Sequence, residues 1–231
     1  MNNEYYMNII VEGNNIDEVW ETWYERLSSM KLSDESRDGE IRGEILNAIT
    51  VIKDPTRNIL KSKIRNLPMR YAIGEMLWYL SGNNELKEIQ KYTKGWDRMS
   101  DDGETVNSNY GHCIRFKYGF NQWEFVKDEL GINPNSRRAI IHIKEASDEE
   151  SKDVNCTVCL QFFIRDNKLN LTTYMRSNDL WMGFPYDVFQ FTNMQVLMSM
   201  ELGVGIGTYT HIAGSLHLYE RDVKSERSKD D

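Results

Sequence analysis

The chain has 231 residues and a mass of 27.2 kDa, with 40% hydrophobic and 28% charged positions, a balance that fits one compact domain over residues 1–231 and excludes a fibrous or disordered chain. With 28 Lys and Arg against 36 Asp and Glu the formal charge is -8, which argues against DNA as a substrate, because non-specific binding to it rests on neutralising phosphates. Apolar runs far below the roughly 20 residues of a membrane span exclude insertion, and an odd count of three cysteines with no leading signal segment points to a reducing, cytoplasmic setting.

In chain order, Tyr5 to Val11 is a short apolar run suited to a strand, and Asn15 stands where an N-cap opens a helix. Ile16, Val19, Trp20, Trp23, Leu27 and Met30 then recur at three- and four-residue spacings, which predicts one buried helical face. Ile45 to Ile52 reads as a strand ended by Pro55. Pro68 opens a second helix through Tyr71, Ile73, Met76, Leu77 and Leu80, with Gly82 as its stop, and a shorter helix follows near Glu85 to Tyr92. Gly95 to Gly111 is polar and too long for a simple turn, a length at which loops are often functional.

A helix from Gln122 to Leu130 is closed by Gly131. Three strand-like runs follow, Ala139 to Ile143, Thr157 to Ile164 and Leu169 to Met175, the last two joined by a turn at Asp166-Asn167-Lys168. A long helix from Asp187 to Leu202 stops at Gly203, a final strand spans Gly205 to Tyr219, and residues 222–231 form a polar tail. Strands and helices without regular alternation predict an α+β fold.

A thiol is the most reactive common side chain once ionised, so the cysteines are the first candidates for chemistry. Cys156 and Cys159 form a C-x-x-C, but in a strand an offset of three sends the side chains to opposite faces, which speaks against a shared metal or redox pair. On residue type alone each cysteine is as well explained as a small buried hydrophobe. Arg137-Arg138 and Arg176-Ser177 each set guanidinium and neighbouring donors beside a strand, and forked guanidinium groups suit phosphate oxygens.

Cys156 five residues before Gln161, RSND at Arg176 to Asp179, Gly183 four residues beyond that aspartate and HLY at His217 to Tyr219 together resemble the thymidylate synthase family. SRR at Ser136 to Arg138, GEMLWYLSG at Gly74 to Gly82 and NSNYG at Asn107 to Gly111 extend the likeness over roughly Arg37 to Tyr219. NSNYG, and Thr157 where many thymidylate synthases have histidine, are more similar to the deoxycytidylate 5-hydroxymethyltransferase branch.

The resemblance implies an α+β domain with a large mixed sheet, flanking helices and a homodimer that pairs sheet to sheet, with active sites shared across the interface. It implies a pyrimidine nucleoside monophosphate as substrate and 5,10-methylenetetrahydrofolate as one-carbon donor, with no metal. Cys156 matches the nucleophile that adds to C6 of the base, Glu75 the glutamate that relays protons there, and Tyr110 a further active-site position. Arg176 and Ser177 match phosphate ligands of the same chain, Arg137 and Arg138 those lent by the partner, and Gln161 a nucleotide contact. The phosphate loop is SRDGEIRG, in which Arg37 is the first choice and Arg42 the alternative. His217 and Tyr219 match groups that bind the sugar 3'-hydroxyl, while Trp96, Asp179 and Gly183 match folate positions, Asp179 also lying at the nucleotide; Met99 replaces a second tryptophan.

Where ordinary members read uracil with an asparagine, this chain has Asp187. A carboxyl group accepts from the cytosine amino group and, when protonated, donates to N3, so the exchange favours cytosine; an N-cap of the following helix is the plainer alternative. The chain also stops soon after Tyr219, without the closing segment of ordinary members, which would open the folate site to water and favour a 5-hydroxymethyl product over methyl. A methyl-forming homologue and a nucleotide-binding dimer without catalysis are the competing expectations.

Overall fold

The computed structural model describes residues 9–31, 35–36 and 39–223. An eight-stranded mixed sheet in the order β1-β3-β8-β6-β5-β4 organises the chain, with β2 added to β3 and β7 to β8. Its strands are β1 (Ile10–Gly13), β2 (Glu35–Ser36), β3 (Gly39–Ile52), β4 (Ile140–His142), β5 (Thr157–Arg165), β6 (Lys168–Met175), β7 (Asn178–Asp179) and β8 (Gly205–Tyr219). The helices are α1 (Ile16–Ser29), α2 (Met69–Ser81), α3 (Leu86–Gln90), α4 (Tyr110–Arg115), α5 (Gln122–Ile132) and α6 (Phe184–Leu202). Antiparallel β3/β8 and β5/β6 alternate with parallel β1/β3 and β6/β8, so the α+β expectation holds.

The predicted face of α1 is buried at Ile16, Val19, Trp20, Trp23 and Leu27, which lie against β1, β3 and β8, whereas Met30, expected on it, falls beyond the helix as its exposed C-cap. Asn15 caps the helix by accepting from Glu18 N at 3.1 Å. Two indole N–H groups then fix its position, Trp23 to Thr50 Oγ1 at 2.8 Å and Trp20 to the Leu180 carbonyl at 2.9 Å. The second bond matters for function, because Leu180 directly follows β7. Helix α6 crosses the same face of the sheet on β6 and β8, and α5 lies against β4 and β5.

Along β5, β6 and β8 the side chains alternate as period two requires. Leu160, Phe162, Leu169, Leu171, Tyr209, His211 and Ala213 point into the core under the helices. The alternate positions, among them Gln161, Phe163, Thr172, Tyr174, Thr210 and Ile212, are half-buried or exposed on the opposite face.

Several boundaries move. The predicted first strand is described only from Ile9, and β3 begins at Gly39 rather than Ile45 because its pairing with β8 runs on to Ile41 opposite Tyr219. Gly131 does not close α5; the helix continues to Ile132 and is capped by Asn133. Gly82 and Gly203 do stop their helices, with φ of 63° and 65° in the left-handed region. The β5–β6 turn is two residues, Asp166 and Asn167 with φ of 51° and 55°, and Lys168 already pairs with Arg165. The stretch read as one loop from Gly95 holds a 3-10 turn at Gly95–Arg98 and ends in α4, which the sequence pattern did not announce. No helix among the described residues is long and apolar enough to cross a membrane.

Candidate active site

Cys156 sits half-buried immediately before β5, where its carbonyl accepts from Arg176 N at 2.8 Å. Cys156 precedes the strand and the β5–β6 register shifts between Thr157 and Cys159, so the opposite-face argument for Cys156 and Cys159, which assumes a regular strand, does not apply. Both thiols are free, and among the described residues no three His, Cys, Asp or Glu side chains gather as a metal site.

The approach to Cys156 is tied down from two sides. The Arg176 guanidinium donates to the carbonyls of Asn155 at 3.1 Å and Val154 at 3.0 Å. From NSNYG, Ser108 N donates to Asp153 Oδ2 at 2.7 Å and the Asn107 amide to the Asp153 carbonyl at 3.0 Å. Asn109 caps α4 through His112 N at 2.8 Å. Gly111 lets that helix approach α2, since a Cβ there would stand 1.6 Å from the Tyr79 carbonyl oxygen. The result is that Tyr110, the first residue of α4, is stacked between Tyr79 at 5.1 Å and Phe191 at 5.9 Å.

A neighbouring guanidinium by itself favours a thiolate. Arg176 does pull in that direction, but burial outweighs it, and Asp187 and Asp153 add to the upward push, so the thiol is held above its ordinary value. Arg176 is exposed and already engaged with two carbonyls, which weakens its field at sulfur.

Glu75 is buried on α2. Its Oε1 accepts from the Tyr71 hydroxyl at 2.7 Å and its Oε2 from Gln190 Nε2 at 2.9 Å, while the Trp96 indole N–H donates to Tyr71 at 3.0 Å. Burial pushes Glu75 up to about 7 against these two bonds. Trp96 and Glu75, expected as a folate contact and a proton relay, are thus joined through Tyr71.

Asp187 does not cap α6. Gly183 occupies the N-cap, and Asp187 N makes an ordinary helical bond to the Gly183 carbonyl at 3.0 Å. This frees the carboxyl, which is half-buried and accepts from Asn178 Nδ2 at 2.7 Å. Burial first, then the nearby Glu75 charge, pushes it up to about 8, so near neutral pH it is mainly the acid. The charges of Asp187 and Cys156 both raise the buried Tyr110 phenol, so Cys156, Tyr110, Glu75, Asp187 and Arg176 form one grouping.

A second group adjoins it. Asp179 Oδ1 accepts from Trp181 N at 2.7 Å and Met182 N at 3.0 Å, and Asp179 pairs with His217 between β7 and β8. The rings of His217 and Tyr219 meet edge-on at 5.2 Å. Ser177 is half-buried between Arg176 and Asn178. Gly183 has a local reason: a Cβ there would lie 2.9 Å from Asn178 Nδ2 and 3.2 Å from Asp187 Oδ2.

Arg137 and Arg138 are exposed ahead of β4, and Gln161 donates to the Arg137 carbonyl at 3.0 Å. Among the described residues no hydrogen bond or ion pair joins these three to Cys156, Glu75 or Asp187. Arg37 lies outside the described residues, and of Arg42 only its backbone in β3 is described. Sequence reasoning missed Tyr71, Gln190, Asn178, His211 and Tyr209. Two signals were available, the i, i+4 pair Tyr71/Glu75 on one helix face and a polar Gln190 on an otherwise apolar stretch of α6.

The family model for thymidylate synthase matches residues 34–229. The deoxyuridylate hydroxymethyltransferase of Bacillus phage SP01 is 31% identical over 202 residues, covering 81% of this chain and 53% of that protein, so the chain spans about half the length of this relative. Among solved structures, the thymidylate synthase of T4 phage is similar in fold, with a TM-score of 0.73 at 19% identity over 87% of this chain and 76% of that one. The match begins before β2 and runs beyond β8, taking in every group of the site, and this chain belongs to the thymidylate synthase family.

Proposed function

We propose that the chain transfers a one-carbon unit from 5,10-methylenetetrahydrofolate to C5 of a cytidine monophosphate, dCMP, with water capture giving the 5-hydroxymethyl nucleotide. The observation that carries this reading is the Asp187 carboxyl, which accepts from Asn178 Nδ2 at 2.7 Å within the group of Cys156 and Tyr110 and which burial pushes up to about 8, toward its neutral form. A neutral carboxyl group offers one O–H donor and one acceptor, the complement of cytosine N3 and its 4-amino group. The anionic form would offer N3 no hydrogen.

C5 of a pyrimidine is a poor nucleophile. Cys156 Sγ adds to C6, the electrons of the C5–C6 double bond move to C5, and C5 then takes the one-carbon unit. For this the raised Cys156 thiol must lose its proton, which suits attack only once nucleotide fills the site. Glu75, poised near neutrality, holds and moves protons at the base, since a group with a pKa near the working pH serves as both acid and base. Loss of the C5 proton with departure of the donor amine leaves an exocyclic methylene while Cys156 stays on C6; hydroxide from water adds to that methylene, and expulsion of the Cys156 thiolate from C6 restores the C5–C6 double bond.

Methylenetetrahydrofolate supplies, when bound, carbon at the oxidation level of formaldehyde. The residues present fit a flat heteroaromatic donor: Trp96 is half-buried, tilted against Trp78 at 5.5 Å with its indole N–H satisfied by Tyr71, and contributes an aromatic wall, with Asp179 as a polar anchor. Arg176 and Ser177 are assigned to the phosphate of the same site, together with Arg37 or Arg42, and His217 and Tyr219 to the sugar 3'-hydroxyl. Arg137, Arg138 and Gln161 are assigned to a site shared with a second copy; both arginines are exposed ahead of β4, and the half-buried Gln161 holds the Arg137 carbonyl.

The name of the phage relative favours a second reading, hydroxymethylation of deoxyuridylate. Incubating the protein with methylenetetrahydrofolate and, separately, dCMP, CMP and dUMP, followed by product masses, separates the readings. Replacement of a ring hydrogen by CH2OH on dCMP is expected. A methyl product with release of dihydrofolate, or turnover confined to dUMP, would replace this proposal.

A further inference from the structure

Behind Asp187 runs a buried polar chain that the chemistry above does not use. Tyr209 and His211, two residues apart on β8, face the core together, and the Tyr209 hydroxyl lies 2.8 Å from His211 Nδ1. His211 Nε2 lies 3.1 Å from Asn178 Oδ1, and Asn178 Nδ2 lies 2.7 Å from Asp187 Oδ2. Phe184 closes on the His211 ring edge-on at 5.2 Å. Tyr209, His211 and Asn178 are 0%, 1% and 3% exposed, so the chain is shielded from bulk solvent.

The chain has a direction. An amide oxygen carries no hydrogen, so His211 Nε2 donates to Asn178 Oδ1. Burial holds the His211 ring neutral, with a pKa lowered to about 3, so Nδ1 has the lone pair that accepts from Tyr209. The Asn178 amide then delivers an N–H to Oδ2 of Asp187. Glycine at 183 leaves the room this last link needs.

Direction matters because a neutral carboxyl group does not by itself choose a base. With its O–H toward N3 and its acceptor oxygen toward position 4 it pairs with cytosine; with the two exchanged it donates to O4 and accepts from N3–H, which pairs with uracil. We propose that Asn178, oriented by His211 and Tyr209, is a positioning residue that decides base preference: its N–H keeps Oδ2 an acceptor, places the acid's proton on Oδ1 and commits Asp187 to one pyrimidine. The inference rests on Asp187 as the base reader. For cytidine, Oδ2 accepts from Asn178 and the 4-amino group together, using both lone pairs, and Oδ1 donates to N3.

The test is the ratio of kcat/KM for dCMP to that for dUMP. Asn178→Ala removes the donor, and the ratio is expected to fall roughly tenfold or more, the worth of one buried hydrogen bond to an ionisable group. His211→Phe keeps ring volume and the contact with Phe184 but frees the amide to rotate, and Tyr209→Phe removes only a hydroxyl. A graded loss of selectivity in the order Asn178, His211, Tyr209 is expected, with Tyr209→Phe as the variant safest for folding. In an Asp187→Ala background, where no side-chain donor or acceptor remains to be oriented, Asn178→Ala leaves the ratio unchanged. A merely structural role would lower activity on both nucleotides alike and would not vanish in that background. Folded variants that keep the wild-type ratio overturn this inference alone, whereas a wild type with no base preference removes the reading of Asp187 and this inference with it.

Discussion

The Tyr71 hydroxyl donates to Glu75 Oε1 at 2.7 Å while accepting the Trp96 indole N–H at 3.0 Å, so one phenol joins the face assigned to folate to the buried carboxyl assigned to proton relay. The pair is one helical turn apart on α2, and Tyr186 packs edge-on against Tyr71 at 4.9 Å, holding it in place. The bond from Tyr71 lowers the Glu75 pKa against the larger upward push of burial. Tyr71→Phe is therefore expected to move the kinetic limb governed by Glu75 to higher pH. It should lower kcat by roughly ten- to hundredfold, as loss of a hydrogen bond to a charged group does. A kcat/KM profile against pH checks this, and a limb that stays in place would show that Glu75 is not the group it reports.

Stability should depend on pH through the same site. Glu75 at about 7 and Asp187 at about 8 are raised above their ordinary 4.5 and 3.8, so the folded chain retains protons that the unfolded chain has lost. Their stabilising contribution is complete below about pH 4 and is lost as pH rises through 7 to 8. His211 has the opposite sign: its pKa is lowered from 6.5 to about 3, so its contribution is present above pH 6.5 and lost as pH falls toward 3. On the alkaline side the Asp187 share is on the order of a few kcal/mol, roughly 2–4 °C in Tm for each kcal/mol in a chain of this size. Thermal unfolding between pH 6 and 9 should show wild-type Tm falling and Asp187→Asn falling distinctly less; parallel curves would place the titration elsewhere.

Gly183→Ala separates a steric reason for glycine from a ligand-binding one. Its methyl group would meet Asn178 Nδ2 at 2.9 Å and Asp187 Oδ2 at 3.2 Å, both side-chain atoms able to give way by breaking their mutual bond. The φ of -95° at this position puts no strain on alanine itself. The cost in stability should stay near the 1–3 kcal/mol of mild overpacking, with a larger effect on nucleotide kinetics than on folate KM. Equilibrium unfolding beside KM for each substrate checks it, and a change confined to folate KM would support the folate role that the family pattern implied for Gly183.

The sequence pattern carried the frame well where periodicity was strong. The apolar face of α1, the length of β8 and the glycine stops at Gly82 and Gly203 all follow from spacing and from the one residue that takes positive φ freely. Local signals gave no notice of α4, which has six residues and whose helical start is set by Asn109 capping His112 and by the close approach of Gly111 to Tyr79. At the site, motif matching named Glu75, Tyr110, Cys156 and Asp187, groups that the fold brings together from three helices and the segment ahead of β5. It could not name Asn178 or His211 as a pair, since they are 33 positions apart and meet only through the sheet. The state of Cys156 is not legible in the sequence for a related reason: the neighbouring cation Arg176 is visible in a motif, whereas the burial that outweighs it arises only from packing.

Cys156 gives the most direct chemical test. Because burial lifts its thiol above the ordinary value and Arg176 offsets only part of that, alkylation of the free protein by iodoacetamide should accelerate only at pH above the usual thiol range. Arg176→Ala removes the offsetting charge and should push the inflection higher still. The same change frees the carbonyls of Val154 and Asn155, so thermal unfolding run in parallel distinguishes a loosened segment from a lost charge. Cys156→Ala should abolish turnover while dCMP still binds, measured by calorimetry, since phosphate, sugar and base contacts are all assigned to other residues. Residual turnover in Cys156→Ala would remove covalent attack at C6 from the mechanism, and an alkylation inflection below the ordinary thiol range would show that the arginine field, not burial, governs this sulfur.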